Sequence, residues 1–403
     1  MNPRCKAGLL LLLAPLATRA EQWTLDNKLS TRYEVNDNAP LAINPRGSMN
    51  ALSVSTSLQA SRRSENASTG VRAAMTAVEE QGPGSNDRLD GQWGLTQTFD
   101  DPLHSLDLSA SYLQDINNQI ENSDVLVGRS RRRSSLVSAR LSRQFSPRIG
   151  GHVQGSFDRT RYGASGGSDY RNGSLGGGLS YRSTELQTWS LNLSHGRYRT
   201  EAGTYRSTTD QLSLGWSQAM TERYSLSLSI GGYRSRNDGQ RFVRVCGLAP
   251  SWCVDNPSFY VLVAEAVRET KRGLQFNLSG RLQLDETTDF SLNAAREQSP
   301  SGVGVVARRD TLSAQLGHSF SPVMSGSVGY ARNRALYGSF GGDITRSEES
   351  LSLSISRRLS DDLSLQAGAT HRRAHGSQLA GRARSSSVAV SLSLDWPRLE
   401  ASR

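Results

Sequence analysis

The sequence predicts an all-β fold: a transmembrane up-and-down antiparallel β-barrel of about 18 strands, with 16 strands as the smaller alternative. Three observations predict it. Apolar residues recur at every second position, short and long polar links alternate, and aromatic residues mark the strand ends. The 403-residue chain is only 36% hydrophobic, and its mean hydropathy is −0.50. A membrane barrel can share these values with a soluble protein, because only alternate residues of its strands meet lipid.

The first twenty residues have the three parts of an export signal. Arg4 and Lys6 precede the apolar run Gly8–Ala17, which is too short to cross a bilayer as a helix. Thr18-Arg19-Ala20 then predicts cleavage after Ala20. We therefore expect residues 1–20 to be a signal peptide. Its removal leaves 44 basic and 37 acidic residues, a net charge of +7.

Alternating apolar and polar residues predict the strands in chain order. The clearest case is "LSLSIS" at 351–356, which resumes as "LSLQA" at 363–367 after Ser360-Asp361-Asp362. The apolar sets of the 18 predicted strands begin at Trp23, Leu52, Val71, Trp93, Leu106, Val137, Ile149, Leu175, Trp189, Leu212, Tyr224, Leu274, Phe290, Leu312, Met324, Leu351, Leu363 and Val388.

The links between the strands alternate strictly in length, as expected for tight periplasmic turns and longer extracellular loops. The sequence therefore predicts a barrel domain over residues 21–396 and a short C-terminal tail over residues 397–403. Short turns are expected near Arg63, Asp101, Ser146, Ser183, Met220, Asp285, Ser321 and Ser360. Long loops are expected over residues 36–50, 79–88, 114–133, 160–170, 199–208, 236–272, 298–309, 332–347 and 374–384.

The longest predicted loop, residues 236–272, holds Cys246 and Cys253. Two cysteines close together in an exported chain predict a disulfide, worth roughly 2–3 kcal/mol on a chain-entropy estimate. Phe259–Val267 is apolar on both faces. An additional membrane strand there would break the even strand count, so we expect it to pair with Arg241–Val245 in an extracellular hairpin.

A soluble propeller or solenoid is the main structural alternative. Such folds need a regular repeat, whereas the two-strand repeat here varies widely in length. Aromatic residues at both strand ends instead indicate two membrane interfaces. The loop-side girdle is predicted at Tyr33, Tyr112, Phe157, Tyr233 and Tyr330. The periplasmic-side girdle is predicted at Trp23, Phe99, Phe145, Tyr181, Tyr224, Phe320 and Trp396.

The other strand face carries mostly Ser, Gly, Gln, Asn, Asp and Arg, and an 18-stranded barrel is too wide for its side chains to fill. A water-filled lumen is therefore expected. A modest excess of arginines would favour anionic solutes, although arginines paired with acids such as Asp26, Asp90 and Asp107 would only stabilise the wall. The lumen-facing candidates are Arg72, Arg140, Arg182, Arg281 and Arg358.

Catalytic and metal-binding patterns are not recognisable in the sequence. None of the six histidines has a metal-ligand spacing or accompanies a nucleophile motif. We therefore nominate no catalytic, metal or cofactor-binding residue. An outer-membrane hydrolase is the third and least favoured hypothesis. The basic run at 129–135 could contact lipopolysaccharide phosphates or an acidic polysaccharide, or could be an ordinary solvated loop. Nucleic acid is not expected as a partner.

Two stretches carry a family resemblance. They are "STRYEVNDNAPLA" at Ser30–Ala42 and "SLNAAREQSPSGVGVVARRDTLSAQLGHSFSP" at Ser291–Pro322. Both resemble the outer-membrane β-barrel porins encoded with exopolysaccharide and PEP-CTERM (exosortase) gene clusters in Gram-negative bacteria. The resemblance extends over essentially the whole chain after residue 20 and implies passage of a secreted polysaccharide. The chain departs from the usual barrel ending, because Trp396 is followed by seven more residues.

Together these observations predict a passive outer-membrane channel for a polysaccharide or another polar or anionic solute. Residues 236–272 are expected to form its constriction or lid. The alternative is a plugged structural or adhesive barrel that binds surface partners through its loops. Expected partners are outer-membrane lipid and lipopolysaccharide, the barrel-assembly machinery and proteins of a polysaccharide export system.

Overall fold

The computed structural model describes residues 22–45, 47–117, 130–163, 167–221, 223–246, 260–302, 304–339, 342–376, 381–396 and 399–402. The predicted signal peptide lies outside these residues, and so does Cys253. The cleavage site and the disulfide therefore remain predictions. In the described part of the chain, no helix is long and apolar enough to cross a membrane.

Nineteen strands make up the described fold. In chain order they are β1 Gln22–Asn36, β2 Met49–Arg63, β3 Ala67–Gln81, β4 Arg88–Asp100, β5 His104–Asn117, β6 Ser130–Gln144, β7 Ile149–Tyr162, β8 Tyr170–Thr184, β9 Gln187–Thr200, β10 Tyr205–Thr221, β11 Tyr224–Cys246, β12 Tyr260–Gln283, β13 Thr288–Pro300, β14 Val306–Ser321, β15 Met324–Ser339, β16 Gly342–Arg358, β17 Leu363–Gly376, β18 Ala383–Asp395 and β19 Leu399–Ser402.

Eighteen of these strands form one closed antiparallel barrel. Each pairs with its neighbours in sequence, and β1 closes the ring by pairing with both β2 and β18. The predicted fold class and strand count are thereby confirmed. Closure removes the free edges that a membrane cannot tolerate, since lipid offers no partner to backbone N–H and C=O groups.

The C-terminal segment is part of this closure. The backbone N–H of Trp396 donates to the carbonyl of Asn27 at 2.8 Å, and β19 then continues along β1 with Leu399 opposite Leu25. The register shifts by one residue between Asp395 and Leu399, as in a β-bulge. Residues 399–402 therefore continue the last strand, where the sequence had predicted only a tail.

The two faces of the barrel differ as the alternation predicts. In β16, Leu351, Leu353 and Ile355 are 40–54% exposed on the outer surface. The intervening Ser354 points the other way, and its Oγ lies 2.8 Å from Ser327 Oγ on the neighbouring strand. An outward surface of exposed Leu, Val, Ile and Phe is stable only against lipid, so the barrel spans a membrane.

Aromatic residues lie on this outer surface at both rims. The seven predicted for the short-turn rim are 39–59% exposed, too open to belong to a packed core. At the loop rim Tyr33, Phe157 and Tyr330 also point outward. The prediction for Tyr233 is wrong, because it stands opposite Gly273 and Gln211 on the face that lines the lumen.

The strands continue well into several predicted loops. Residues 236–246 and 260–272 are the ends of β11 and β12, which pair without interruption up to Cys246 and Tyr260. The expected pairing of 241–245 with the apolar segment is confirmed, with Val243 opposite Val263. The prediction of a loop is therefore wrong for residues 236–246 and 260–272. Their segments "RFVRV" and "YVLVAEAV" are rich in β-branched residues, which favour strands, and they prolong the hairpin.

Substitution at adjacent positions of β16 tests the assignment of the faces. We expect Leu353→Arg to cost about 2–4 kcal/mol of unfolding free energy, because the charge enters the lipid-facing band. Ser354→Arg, one residue away, should cost far less because its side chain enters the lumen. Chemical unfolding in lipid vesicles measures both. Equal losses, or a larger loss for Ser354→Arg, would contradict the outward placement of Leu353.

The turn between β12 and β13 is held by the Asp285 carboxylate. It accepts hydrogen bonds from the Thr287 hydroxyl and N–H at 2.8 Å each, and from the Thr288 hydroxyl at 3.0 Å. These bonds, led by that of the Thr287 hydroxyl, lower the pKa of Asp285 from 3.8 to about 2.

A pH dependence follows from this lowered pKa. The carboxylate stabilises the turn above pH 3.8, and this contribution is lost as the pH falls towards 2. We expect the carboxyl carbon resonance of Asp285 to titrate with a midpoint near 2 in the folded protein. In the double variant Thr287→Ala, Thr288→Ala the midpoint should rise towards 3.8. An unchanged midpoint in that variant would show that these hydroxyls do not set the pKa.

Candidate functional site: a polar lumen with an inward hairpin

Small hydroxyl side chains line most of the inner wall. They form cross-strand pairs such as Ser109 with Ser138 and Ser156 with Ser174, each with 2.7 Å between the oxygens. Such pairs hydrogen-bond across the sheet and occupy little volume. The wall is thus polar, and its small side chains take up little of the space at the centre of the barrel.

A groove runs along the inner wall over β4 to β8, with a volume of about 410 Å³. We call it the lumen groove. Its polar lining consists of Thr96, Thr98, Asp107, Ser109, Ser138, Arg140, Gln154, Ser156 and Ser174. Nearer the short-turn rim, a second cavity of about 260 Å³ also includes Arg140, together with His152 and Gln144. Arg140 is therefore the cation that borders both cavities.

Arg140 is exposed and only weakly tethered. Its Nε donates to Ser142 Oγ at 3.4 Å. Asp107 stands opposite Arg140 in the register, but its carboxylate accepts a hydrogen bond from Thr98 at 3.0 Å. Among the described residues, no carboxylate lies within ion-pair distance of the Arg140 guanidinium.

The other four lumen candidates are spread around the barrel, on β3, β8, β12 and β16. Their strand register places Arg72 opposite Gln59, Arg182 opposite Thr188, Arg281 opposite Ser225 and Arg358 opposite Ser364. The structure does not bring the five arginines together into one site. Within the described part of the chain none of them is paired with an acid, which argues against a purely wall-stabilising role.

The lumen is narrowed by the end of the β13–β14 pair, which we call the inward hairpin. Its described residues are 297–302 and 304–306. β13 pairs with β12 only as far as Arg296, whereas it stays paired with β14 up to Pro300 and Val306. The hairpin thereby leaves the barrel wall and crosses the inner faces of β9 to β11. Its backbone reaches the connection before β8, where the N–H of Ser168 donates to the carbonyl of Gly302 at 2.7 Å.

Contacts beneath the inward hairpin bury part of the lumen face. Tyr198 donates its hydroxyl hydrogen to the Ser301 carbonyl at 3.1 Å, and the Thr209 hydroxyl lies 3.4 Å from the Gln298 side-chain oxygen. Tyr198 is only 2% exposed, and Ser207 and Ser235 are 1% exposed. These buried residues are on the lumen-facing side of β9, β10 and β11. The hairpin that covers them therefore lies inside the barrel.

The tip of the hairpin requires glycine at position 304. Gly304 has φ +84°, and a Cβ there would lie 2.9 Å from the Ser168 hydroxyl. The tip is closed by the Ser301 hydroxyl, which donates to the Val305 carbonyl at 2.7 Å. These contacts fix one tip conformation against the wall.

A second connection also folds inward, between β1 and β2. Leu41 is 5% exposed and packs against Ala374 and Ala383 on the lumen face of β17 and β18. The Asn38 amide donates to the carbonyls of Ala42 and Arg384, both at 2.7 Å. The described residues of this connection, 37–45, 47 and 48, therefore cover a different part of the lumen wall from the inward hairpin.

The connections seen to enter the lumen differ from the one predicted as the constriction. Residues 236–246 and 260–272 of that predicted loop extend as strands, and its middle, residues 247–259, lies outside the described residues. Residues 297–302, 304–306 and 37–45 enter the lumen instead. The sequence signal for the inward hairpin was the cluster Pro300, Gly302 and Gly304 within the long loop predicted at 298–309. Pro and Gly permit a tight tip but do not reveal which way it folds.

The basic run at 129–135 is strand from Ser130 onward. Arg132 points into the lumen and its Nη2 bonds Asp115 at 2.7 Å. Arg131 and Arg133 have the opposite parity and are exposed. The run therefore divides between an inner ion pair and the outer surface.

No arrangement typical of hydrolysis or metal binding is found in the described residues. Groups of three or more His, Cys, Asp or Glu that could hold a metal ion are absent there. Ser386 Oγ lies 3.0 Å from His371 Nδ1, but the other ring nitrogen accepts from Arg373 at 3.1 Å. A Ser-His-Asp triad needs a carboxylate where this arginine stands.

Comparison with known proteins finds fold neighbours only. No protein-family model matches the sequence, and no curated protein matches it either. OccAB4 of Acinetobacter baumannii is similar at 10% identity and a TM-score of 0.47, over 95% of this chain and 99% of that one. OccK9 (OpdG) of Pseudomonas aeruginosa is similar at 12% identity and a TM-score of 0.48, over 93% and 98%. The outer membrane protein OpdK of the same organism is similar at 13% identity and a TM-score of 0.47, over 93% and 99%. Similarity at this level assigns neither a function nor a solute.

Shortening the inward hairpin tests whether it narrows the pore. Replacing residues 300–305 by Asn-Gly should increase single-channel conductance, because the chain no longer crosses the lumen. Removing Pro83 and Gly84 from the exposed β3–β4 connection is the control and should leave conductance unchanged. Equal conductance of the shortened variant and the parent would show that the hairpin does not limit flow.

Proposed function

We propose that this protein is a passive channel of the Gram-negative outer membrane for polar solutes, with a preference for anions. One observation carries the proposal: the 18-stranded barrel has a polar lumen in which Arg140 and four other described arginines lack acidic partners. Guanidinium groups that no carboxylate pairs with raise the electrostatic potential around them, which favours anions over cations along the pore. The outward apolar band and the predicted export signal support the location.

Movement of solute requires no chemistry from the protein. The serine and threonine hydroxyls, with Gln154, offer donors and acceptors along the lumen groove, so a hydroxylated solute can exchange hydrogen bonds with water and wall. The inward hairpin restricts the cross-section on the loop side. Such a wall favours passage of solutes over tight binding.

Export of a polysaccharide is the finer form of this proposal. It is supported by the sequence resemblance to exopolysaccharide-associated porins and by the hydroxyl-rich wall, which suits sugar hydroxyls. Interaction with polysaccharide export proteins and with the barrel-assembly machinery belongs to the same proposal. A plugged barrel with a structural or adhesive role is the second candidate, favoured by the two inward connections at residues 37–48 and 297–306.

Reconstitution in planar bilayers separates the two candidates. An open channel should give discrete ion-conducting steps from correctly folded protein. Heat-modifiable migration on electrophoresis supplies the folding control. Folded protein that inserts but never conducts would overturn the channel proposal and support the plugged barrel.

Neutralising lumen arginines tests the origin of the anion preference. Arg140→Gln combined with Arg281→Gln should lower the anion-to-cation permeability ratio by roughly twofold, because the positive potential along the pore is reduced. The reversal potential in a salt gradient measures this ratio. Arg236→Gln combined with Arg334→Gln removes the same charge from the outer face and is the control. Equal effects of the two double variants would mean that Arg140 and Arg281 have no specific role in the lumen.

A further inference from the structure

A dense basic patch lies on the outside of the barrel near the loop rim. It occupies the outward positions of β9 to β12 and contains seven arginines, one histidine and two aspartates, a net charge of +5 with the histidine neutral. We call it the outer basic patch. Its charged members are His195, Arg197, Arg199, Arg206, Asp210, Arg234, Arg236, Asp238, Arg268 and Arg272.

The strand register arranges these residues in three rows. The lowest row is His195, Asp210, Arg234 and Arg272, and the highest is Arg199, Arg206, Asp238 and Arg268. Between them, Arg197 and Arg236 flank Thr208. Residues directly opposite in adjacent strands share a face, so each row is a continuous line of side chains on the outer surface.

The patch begins where the apolar band ends. The row below it contains Leu193, Leu212 and Leu274, which are 59%, 49% and 69% exposed. Two residues along a strand cover roughly 7 Å, so the lowest charged row lies at headgroup depth when these leucines contact acyl chains. A ligand with an anionic head group and apolar chains would fit this surface, with its head group against the charged rows and its chains against the leucine row.

The two aspartates are already engaged. Asp210 lies 2.7 Å from His195 Nδ1, and Asp238 lies 2.6 Å from Arg268 Nε. No carboxylate of the described residues is within ion-pair distance of the remaining exposed arginines at positions 197, 199, 206, 234, 236 and 272. Arg199 and Arg206 stand directly opposite one another, an arrangement that destabilises a sheet unless an anion lies between the cations.

The wall behind the patch is buried and hydrogen-bonded on its inner side. On the inner face of the same strands, Ser207, Ser235 and Asn237 are buried beneath the inward hairpin, and the Ser207 and Ser235 hydroxyls lie 3.0 Å apart. The arginines therefore project from a wall supported from within. Anion binding then orders side chains but not backbone, which lowers its entropic cost.

We propose that the outer basic patch binds the phosphate groups of a phosphorylated lipid in the loop-side leaflet of the membrane. Guanidinium groups form paired hydrogen bonds with phosphate oxygens, and opposed arginines such as Arg199 and Arg206 can share one phosphate. The acyl chains of the same molecule pack on the exposed leucines below. This apolar row favours a lipid over a soluble polyanion.

Lipid retention measured by native mass spectrometry tests the proposal. The probe is lipid A with two phosphates, compared with its monophosphoryl form and with phosphatidylethanolamine. The quadruple variant Arg199→Gln, Arg206→Gln, Arg234→Gln, Arg236→Gln should retain the bisphosphorylated probe roughly tenfold less than the parent. The quadruple variant Arg72→Gln, Arg140→Gln, Arg182→Gln, Arg281→Gln loses the same charge from the lumen and should retain it as the parent does.

A smaller variant guards against failure to fold. Arg199→Gln with Arg206→Gln relieves the opposed charges, so it should unfold at a higher temperature in lipid-free detergent while still retaining less lipid A. Equal retention by parent and outer variants would overturn the proposal. So would equal retention of lipid A and phosphatidylethanolamine by the parent. Full displacement of lipid A by inorganic phosphate or by a soluble acidic polysaccharide at equal concentration would overturn it in favour of a soluble anion.

Discussion

The hydrogen-bonded closure between β1 and β18 is the constraint on which the rest of the structure depends. In lipid every backbone N–H and C=O group must find a partner within the protein, and a closed ladder provides one for each strand. The closure here includes β19, which follows β1 beyond Trp396. In a closed ring, successive side chains of a strand point alternately towards the lipid and towards the lumen. The apolar surface, the aromatic rims and the polar wall are all consequences of that division.

A ring of 18 strands leaves a centre that side chains cannot fill. Two connections narrow this space with their backbone, and no side-chain core fills it in the described part of the chain. The inward hairpin covers β9 to β11, and residues 37–48 cover β17 and β18. Each is held by hydrogen bonds to buried hydroxyl or amide groups, so the restriction is built from a few specific contacts such as Tyr198 with Ser301.

Arginines lie on both surfaces of this barrel. The position of each arginine in the alternation of its strand determines whether it faces the lumen or the outside. Inside, isolated guanidinium groups such as that of Arg140 meet water and solute. Outside, the arginines of the outer basic patch stand in rows just above exposed leucines. The inward hairpin relates the two surfaces, because it packs against the inner face of the same strands that carry the outer basic patch on their outer face. A positive net charge alone would distinguish neither role.

The sequence by itself determined the fold class, the 18 strands and the face of nearly every strand residue, because a period of two is a local property of the chain. It misassigned Tyr233, where the two glycines before it obscure the alternation, and it treated residues 236–272 as a loop because polar residues interrupt the strand ends. Only the tertiary structure decided which connections enter the lumen and which arginines stand together. Those outcomes rest on contacts between distant residues, such as Tyr198 with Ser301, 103 positions apart, and on strand register. Neither the contacts between distant residues nor the strand register produces a periodic pattern in the sequence.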